Sequence, residues 1–166
     1  MINEKDRSII GKEAANKGIA NEHIALGILM HRYNASKVDL PSSKYDIIIE
    51  LKKNDYIRIQ SKASDKSISF LGNVRAGKAN KGSSNLKYSY RYNVEHCDII
   101  MGVKTSINKK GVLEKVDLYF VPTLYIETLK QNSISYGRIE SFKNNWNILE
   151  NSKDFNYVKK FLIKNN

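Results

Sequence analysis

Two strand-like runs stand on either side of the polar tetrapeptide Lys52-Lys53-Asn54-Asp55. The first, Lys44 to Leu51, holds three consecutive isoleucines, Ile47, Ile48 and Ile49. The second, Tyr56 to Ala63, alternates. Ile57 and Ile59 fall on one face, and Arg58, Gln60 and Lys62 on the other. Such a pair reads as a β-hairpin with an apolar face to bury. Whatever else the chain forms has to cover that face. Asp46 sits among the apolar residues of the first run, and Glu50 lies four residues on, on the same face.

The rest of the chain supplies the cover. The 166 residues suit one domain, and a 41% hydrophobic content is enough for a core. Residues 1–12 read as a short arm or an extra turn, and Glu13 to Tyr33 as a helix. A short strand is expected over 36–40, and a turn at Pro41-Ser42-Ser43. Ser67 to Leu71 reads as a strand, 72–87 as a long Gly-, Asn- and Ser-rich loop, and Tyr88 to His96 as a short helix. Cys97 to Val103 and Val116 to Val121 are strands around the turn Asn108-Lys109-Lys110-Gly111. From Leu124 the chain looks mostly helical, with segments near 124–130, 140–150 and 153–164. This order argues for an α/β sandwich around one mixed sheet.

Charge narrows the partners. Lys and Arg total 28 against 17 Asp and Glu, a net charge of +11. That excess attracts a polyanion, nucleic acid first and an anionic membrane second. A Lys-rich surface encoded by an AT-biased gene gives the same imbalance. The single cysteine, Cys97, permits no intrachain disulfide. The N-terminus is charged and lacks an apolar signal core, and no stretch approaches the ~20 apolar residues of a membrane span. A cytoplasmic or organellar protein, not a secreted one, is expected. The sequon at Asn34 then has no role.

In the first helix Ile19, Glu22, Leu26, Leu29 and Tyr33 are spaced 3, 4, 3, 4, one stripe of a helix. Glu22 is the exception on that stripe. A carboxylate there is paired, metal-bound, or at a wet edge, because burying it alone is costly.

A helix with an inward Glu, a strand Asp, a hairpin and then Gln-x-Lys resembles the PD-(D/E)XK nuclease superfamily. Within it, the group I intron homing endonucleases and the archaeal Holliday-junction resolvases are the nearer likenesses. The matching text is Lys17-Gly18, Glu22, Ala25-Leu26 with Leu29, Asp46 to Ile49, and Ile57 to Lys62. Weaker likeness continues in Tyr92, Cys97 to Ile100, and Asp117 to Pro122. Tyr45 stands where the family often has Pro, and Gln60 stands at the second acidic position, as in some homing endonucleases of the class.

The resemblance implies a restriction-endonuclease-like core over about 13–122, a mixed β-sheet flanked by helices, with a helical extension over about 123–166. It implies a Mg²⁺-dependent DNA endonuclease with Glu22, Asp46, Gln60 and Lys62 as catalytic residues. Asp46 and the Gln60 side-chain oxygen would bind the metal, with Glu22 helping to hold a second ion or a water. Lys62 would orient or deprotonate the attacking water. A site-specific homing endonuclease is the first reading, and a resolvase or restriction-type enzyme the second. Resolvases of this class are usually smaller and lack so long a helical tail. The alternative of another kind is a non-catalytic DNA-binding module on the same fold.

Between Lys66 and Val94 there are six basic residues and no acid. Arg75, Lys78, Lys81, Lys87 and Arg91 are candidate contacts to double-stranded DNA, against a merely solvated loop. Gly72 to Ala79 resembles a P-loop but lacks the Ser/Thr after Lys78 and the helix that should follow. His23, His31, His96 and Cys97 lack zinc spacing. The tyrosines and Trp146 read as packing residues. Cutting both strands needs two active sites, so a homodimer or homotetramer is expected. Phe155, Tyr157, Phe161 and Leu162 are candidates for that interface or for the core.

Overall fold

The computed structural model describes residues 4–73 and 89–162. The described chain runs α1 (Glu4–Met30), β1 (Asn34–Lys37), β2 (Ile47–Lys52), β3 (Asp55–Ala63), β4 (Ser67–Ser69), β5 (Leu71–Asn73), β6 (Ser89–Arg91), β7 (Ile99–Ile107), β8 (Leu113–Pro122), α2 (Thr123–Glu127) and β9 (Ser133–Ser135). A 3-10 helix (Tyr136–Phe142), α3 (Trp146–Glu150) and α4 (Phe155–Leu162) complete it.

The isoleucine-rich hairpin forms as expected. Asn54 closes its turn at φ 65°, a left-handed conformation that Asn tolerates better than most residues. Ile47 pairs with Ile59 and Ile49 with Ile57, and all four are fully or almost fully buried. The sheet has the order β1-β2-β3-β7-β8. All its pairings are antiparallel except β3 with β7. The expected mixed sheet flanked by helices is therefore present. A parallel pair needs a crossover, and here the described part of that connection consists of β4, β5 and β6 rather than a helix.

The first helix begins at Glu4, not Glu13. Glu and Lys in this stretch favour helix, but the polar run showed no apolar face to mark it. Its buried face also differs from the expected stripe. Asn21, Ala25 and Leu29 are buried, whereas Ile19 is 55% exposed. The 4, 4 spacing of this face centres on a small residue, which lets the helix approach the sheet. Asn21 accepts a hydrogen bond from Thr105 of β7 at 3.2 Å, so α1 lies on the face that carries Met101 and Val103.

Two further expectations are corrected. The helix expected over Tyr88 to His96 is not found in the described residues 89–96: β6 pairs with β5, and a turn follows. Alternating tyrosines suit a strand better than a helix. The C-terminal tail contains β9, which pairs with β4 through the identical tripeptides Ser67-Ile68-Ser69 and Ser133-Ile134-Ser135. Both isoleucines are buried, but three residues are too few to show a period. Beyond them Val158 is buried, and Phe161 packs on Phe142 with ring centres 5.4 Å apart. Phe155 stays half exposed. Trp146 packs against Phe120 and Tyr33, with Arg32 stacked over it at 4.3 Å.

Gly102 shows how the small strands seal the second face. It pairs with Lys62 of β3, and a Cβ there would come within 2.7 Å of Ile68 Cγ1 and 3.0 Å of Tyr136 Cε1. Gly102→Ala is expected to destabilise the fold by about 1–3 kcal/mol through overpacking. A urea titration measures it, and an unchanged midpoint would show that β4 and the 3-10 helix do not press on this strand.

Candidate active site

Asp46 directly precedes β2 and is held in the ladder by its own N–H, which donates to the Ile59 carbonyl at 2.9 Å. That register sets its side chain opposite Gln60. The Asp46 Oδ2 atom accepts from the Ser61 N–H at 2.9 Å and from the Gln60 amide nitrogen. The same nitrogen donates to the Ser61 carbonyl at 3.1 Å. On its other side, the Gln60 Oε1 atom accepts from the Tyr92 hydroxyl at 2.9 Å. Gln60 and Tyr92 are both buried.

Lys62 follows on the same face. Its ammonium donates to the Leu71 carbonyl at 3.2 Å and lies 5.0 Å from the centre of the Tyr92 ring. Glu22 approaches from α1. Its Oε1 atom is 3.0 Å from the Lys37 ammonium of β1, an ion pair without hydrogen-bond alignment.

The electrostatics tie these groups together. Burial pushes the Asp46 carboxyl above the usual carboxylate range. The Ser61 N–H opposes this, the Glu22 charge adds to it, and Lys62 and Lys37 oppose it. Burial lowers the Lys62 ammonium below the usual lysine value, and the Asp46 charge works against that shift. Glu22 raises Lys37, by its ionic contact and its charge.

A divalent cation at this place would draw on these side-chain oxygens. Among the described residues no three of His, Cys, Asp and Glu cluster as metal ligands. Mg²⁺ takes oxygen ligands, keeps several waters, and is often held by only one or two carboxylates. Asp46 fits, because Oδ1 accepts no hydrogen bond among the described residues. Gln60 fits once its amide turns over, since its oxygen faces Tyr92 and its nitrogen faces Asp46. Glu50 is elsewhere: it accepts from Asn34 at 3.0 Å.

Of the four residues expected at the site, Asp46, Gln60 and Lys62 are therefore brought together, and Glu22 lies near enough for its charge to act on Asp46. Arg58, on the same strand face, has a structural role. It pairs with Asp98 at 2.9 Å and donates to the Val94 and Glu95 carbonyls. Two neighbours escaped sequence reasoning, Tyr92 and Lys37. Alternation of Tyr90 and Tyr92 was a usable strand signal for the first. Nothing local distinguishes Lys37 from the other lysines.

The expected DNA contacts are mostly unseen. Arg75, Lys78, Lys81 and Lys87 lie outside the described residues, as does most of the P-loop-like stretch. Gly72 of that stretch lies in β5, where the Tyr90 ring leaves no room for a Cβ. Arg91 is not free to meet DNA with its Nη2 group. That nitrogen donates to the Ile126, Leu129 and Gln131 carbonyls at 2.8, 2.6 and 3.1 Å and fastens the chain leaving α2. His96 packs on Tyr90 and Tyr92.

This helix-flanked mixed sheet resembles the fold of one solved structure. That protein is a bacterial homing endonuclease, I-Ssp6803I. The match has a TM-score of 0.59 at 12% identity and covers 81% of this chain and 91% of the other. At that identity the likeness concerns the fold. No family model and no curated protein matches the sequence.

Proposed function

We propose that the chain is a Mg²⁺-dependent DNA endonuclease of the PD-(D/E)XK type, acting as a site-specific homing endonuclease. The observation that carries this reading is the convergence of Asp46, Gln60 and Lys62 at the mouth of one hairpin, in a fold shared with a homing endonuclease. Asp46 and a turned Gln60 amide would hold the ion, with Glu22 close enough to be felt electrostatically. The ion would act as a Lewis acid on a scissile phosphate oxygen.

The protein's own groups do the rest. Lys62 feels the carboxylate's charge and has its hydrogen-bonding capacity only partly used. It orients the attacking water and offsets charge that develops on the phosphate. Its lowered proton affinity leaves it unprotonated, and so able to accept a proton, more often than a surface lysine. Ser61 fixes the unshared geometry of Asp46 through its N–H. Double-strand cleavage would require a homodimer or homotetramer on double-stranded DNA. No helix among the described residues is long and apolar enough to cross a membrane, and a cytoplasmic or organellar site of action fits a DNA substrate.

The second reading, a non-catalytic DNA-binding module, draws on Gln60 already satisfying Asp46 without a cation. Incubation with supercoiled plasmids carrying candidate target sites separates the two. The expected result is linear product with Mg²⁺ and none with EDTA, and binding that weakens steeply with salt. Salt-sensitive binding without cleavage of any site selects the second reading.

A further inference from the structure

The Gln60 amide has every polar atom partnered: nitrogen to Asp46 and to the Ser61 carbonyl, oxygen to Tyr92. This orientation is the favoured one beside an ionised Asp46 when no cation is present. The reverse would set an amide oxygen against the Asp46 carboxylate, two acceptors face to face. The nitrogen thus occupies the place at Asp46 where a cation ligand would be needed. A Glu at this position would have two like oxygens and no orientation to choose.

The partner on the far side is a hydroxyl, which donates or accepts equally well. Tyr92 donates to the amide oxygen now, and after the amide turns it can accept from the amide nitrogen. Tyr90 stands behind it, with its hydroxyl donating to Tyr92 at 3.4 Å, so the direction of both bonds can reverse together. The Tyr92 ring is fixed by burial and by edge contacts with Tyr90 and His96.

We propose that Gln60 is a cation-responsive amide latch, with Tyr92 as the positioning residue that serves both of its orientations. The inference rests on the proposed metal site. Divalent cation at Asp46 reverses the amide, and the Tyr92 hydroxyl keeps the reversed NH₂ from being buried without a partner. Orphaned buried N–H groups are rarer than under-satisfied carbonyls, and without the hydroxyl the reversed NH₂ would leave two donors unpartnered where the free orientation leaves one acceptor. Removing the hydroxyl therefore penalises the cation-bound orientation more than the free one.

The test is a Mg²⁺ titration of the ¹⁵N-labelled full chain, without DNA. The Gln60 side-chain NH₂ signals are identified by their loss in Gln60→Glu, and the Ser61 backbone amide reports occupancy of Asp46. Both are expected to shift together in the parent protein. Tyr92→Phe is expected to raise the half-saturating Mg²⁺ at least fivefold. On a Gln60→Glu background the same Tyr92→Phe change should move it by less than twofold, because a carboxylate has no orientation to reverse. A Ser61 signal that shifts while Gln60 stays still overturns the latch and leaves the metal site standing. So does an equal effect of Tyr92→Phe on both backgrounds, which marks plain packing. Still signals at both positions overturn the metal site and the latch with it. Thermal melts of each variant establish that folded protein is being titrated.

Discussion

Replacing Lys62 by methionine should reduce DNA cleavage about 10²–10⁴-fold, the range for losing a positioned proton-transfer group or a charge-stabilising donor, while raising the melting temperature. The loss follows from position: Lys62 shares a strand face with Gln60 and feels the Asp46 charge. The gain follows from the direction of its proton affinity. Lys62 holds its proton less tightly folded than unfolded, chiefly because it is buried. A depressed lysine weighs against the fold wherever the unfolded chain is protonated. That burden is present below the depressed folded value and disappears as pH rises through the ordinary lysine range. Methionine keeps the aliphatic stem on the Tyr92 ring without the charge. Each ~1 kcal/mol recovered corresponds to about 2–4 °C for a chain of this size. Calorimetry beside a cleavage assay checks both halves. A Lys62→Met protein that cuts at the parent rate would remove Lys62 from the chemistry. A lower melting temperature would mean its attraction to Asp46 outweighs its desolvation.

Asp46→Asn should be at least as damaging, with cleavage down by roughly 10³-fold or more, since Lewis-acid stabilisation of several kcal/mol depends on holding the ion. The substitution is nearly isosteric, and an asparagine oxygen can still accept from the Ser61 N–H and the Gln60 amide. The hairpin should therefore remain intact. Here the sign of the pH effect is the opposite of the lysine's in its origin and the same in its consequence. A carboxyl raised by burial favours the fold at low pH. It loses that advantage as pH rises through its raised folded value, so at neutral pH the ionised group is a burden. Asp46→Asn is expected to melt higher than the parent at pH 7 and to lose that advantage in acid. DNA affinity without Mg²⁺ should hold or increase, because a negative charge has been taken from a phosphate-facing site. A mutant that retains Mg²⁺-dependent cleavage would move the metal site away from Asp46.

These expectations share one physical origin. Both charged groups of the site are desolvated by the strands that position them, and such opposition between stability and activity is common where polar residues are partly buried for function. The cover comes from β5 and β6. Leu71 accepts from Lys62, and Tyr92, just past β6, caps Gln60.

How the site was legible in the sequence depended on range. Asp46, Gln60 and Lys62 were readable because a hairpin is a local structure. Alternation fixed the face, and the polar turn fixed the approximate register. Glu22 was readable as the wrong residue type on an apolar stripe, although the helix proved to be turned toward Asn21, Ala25 and Leu29 instead. Lys37 was not readable, since its pairing with Glu22 joins β1 to α1 across a contact that no spacing encodes. The internal bonds of Arg91 were not readable for the same reason. A basic residue near a basic loop suggests DNA, but three carbonyls from the chain after α2 close around it.

The sequence by itself determined the hairpin, the alternation that sets Gln60 and Lys62 on one face, the presence of a flanking helix and the mixed α/β class. All of these follow from patterns of two to four residues, set by the geometry of strand and helix. The tertiary structure alone decided the parallel β3–β7 pairing, the joining of β4 to β9 across 66 residues of chain from Ser67 to Ser133, and the orientation of the Gln60 amide. Those depend on which distant groups meet once water is excluded. A chain carries no local record of such meetings, because their energy exists only after the fold has brought the partners together.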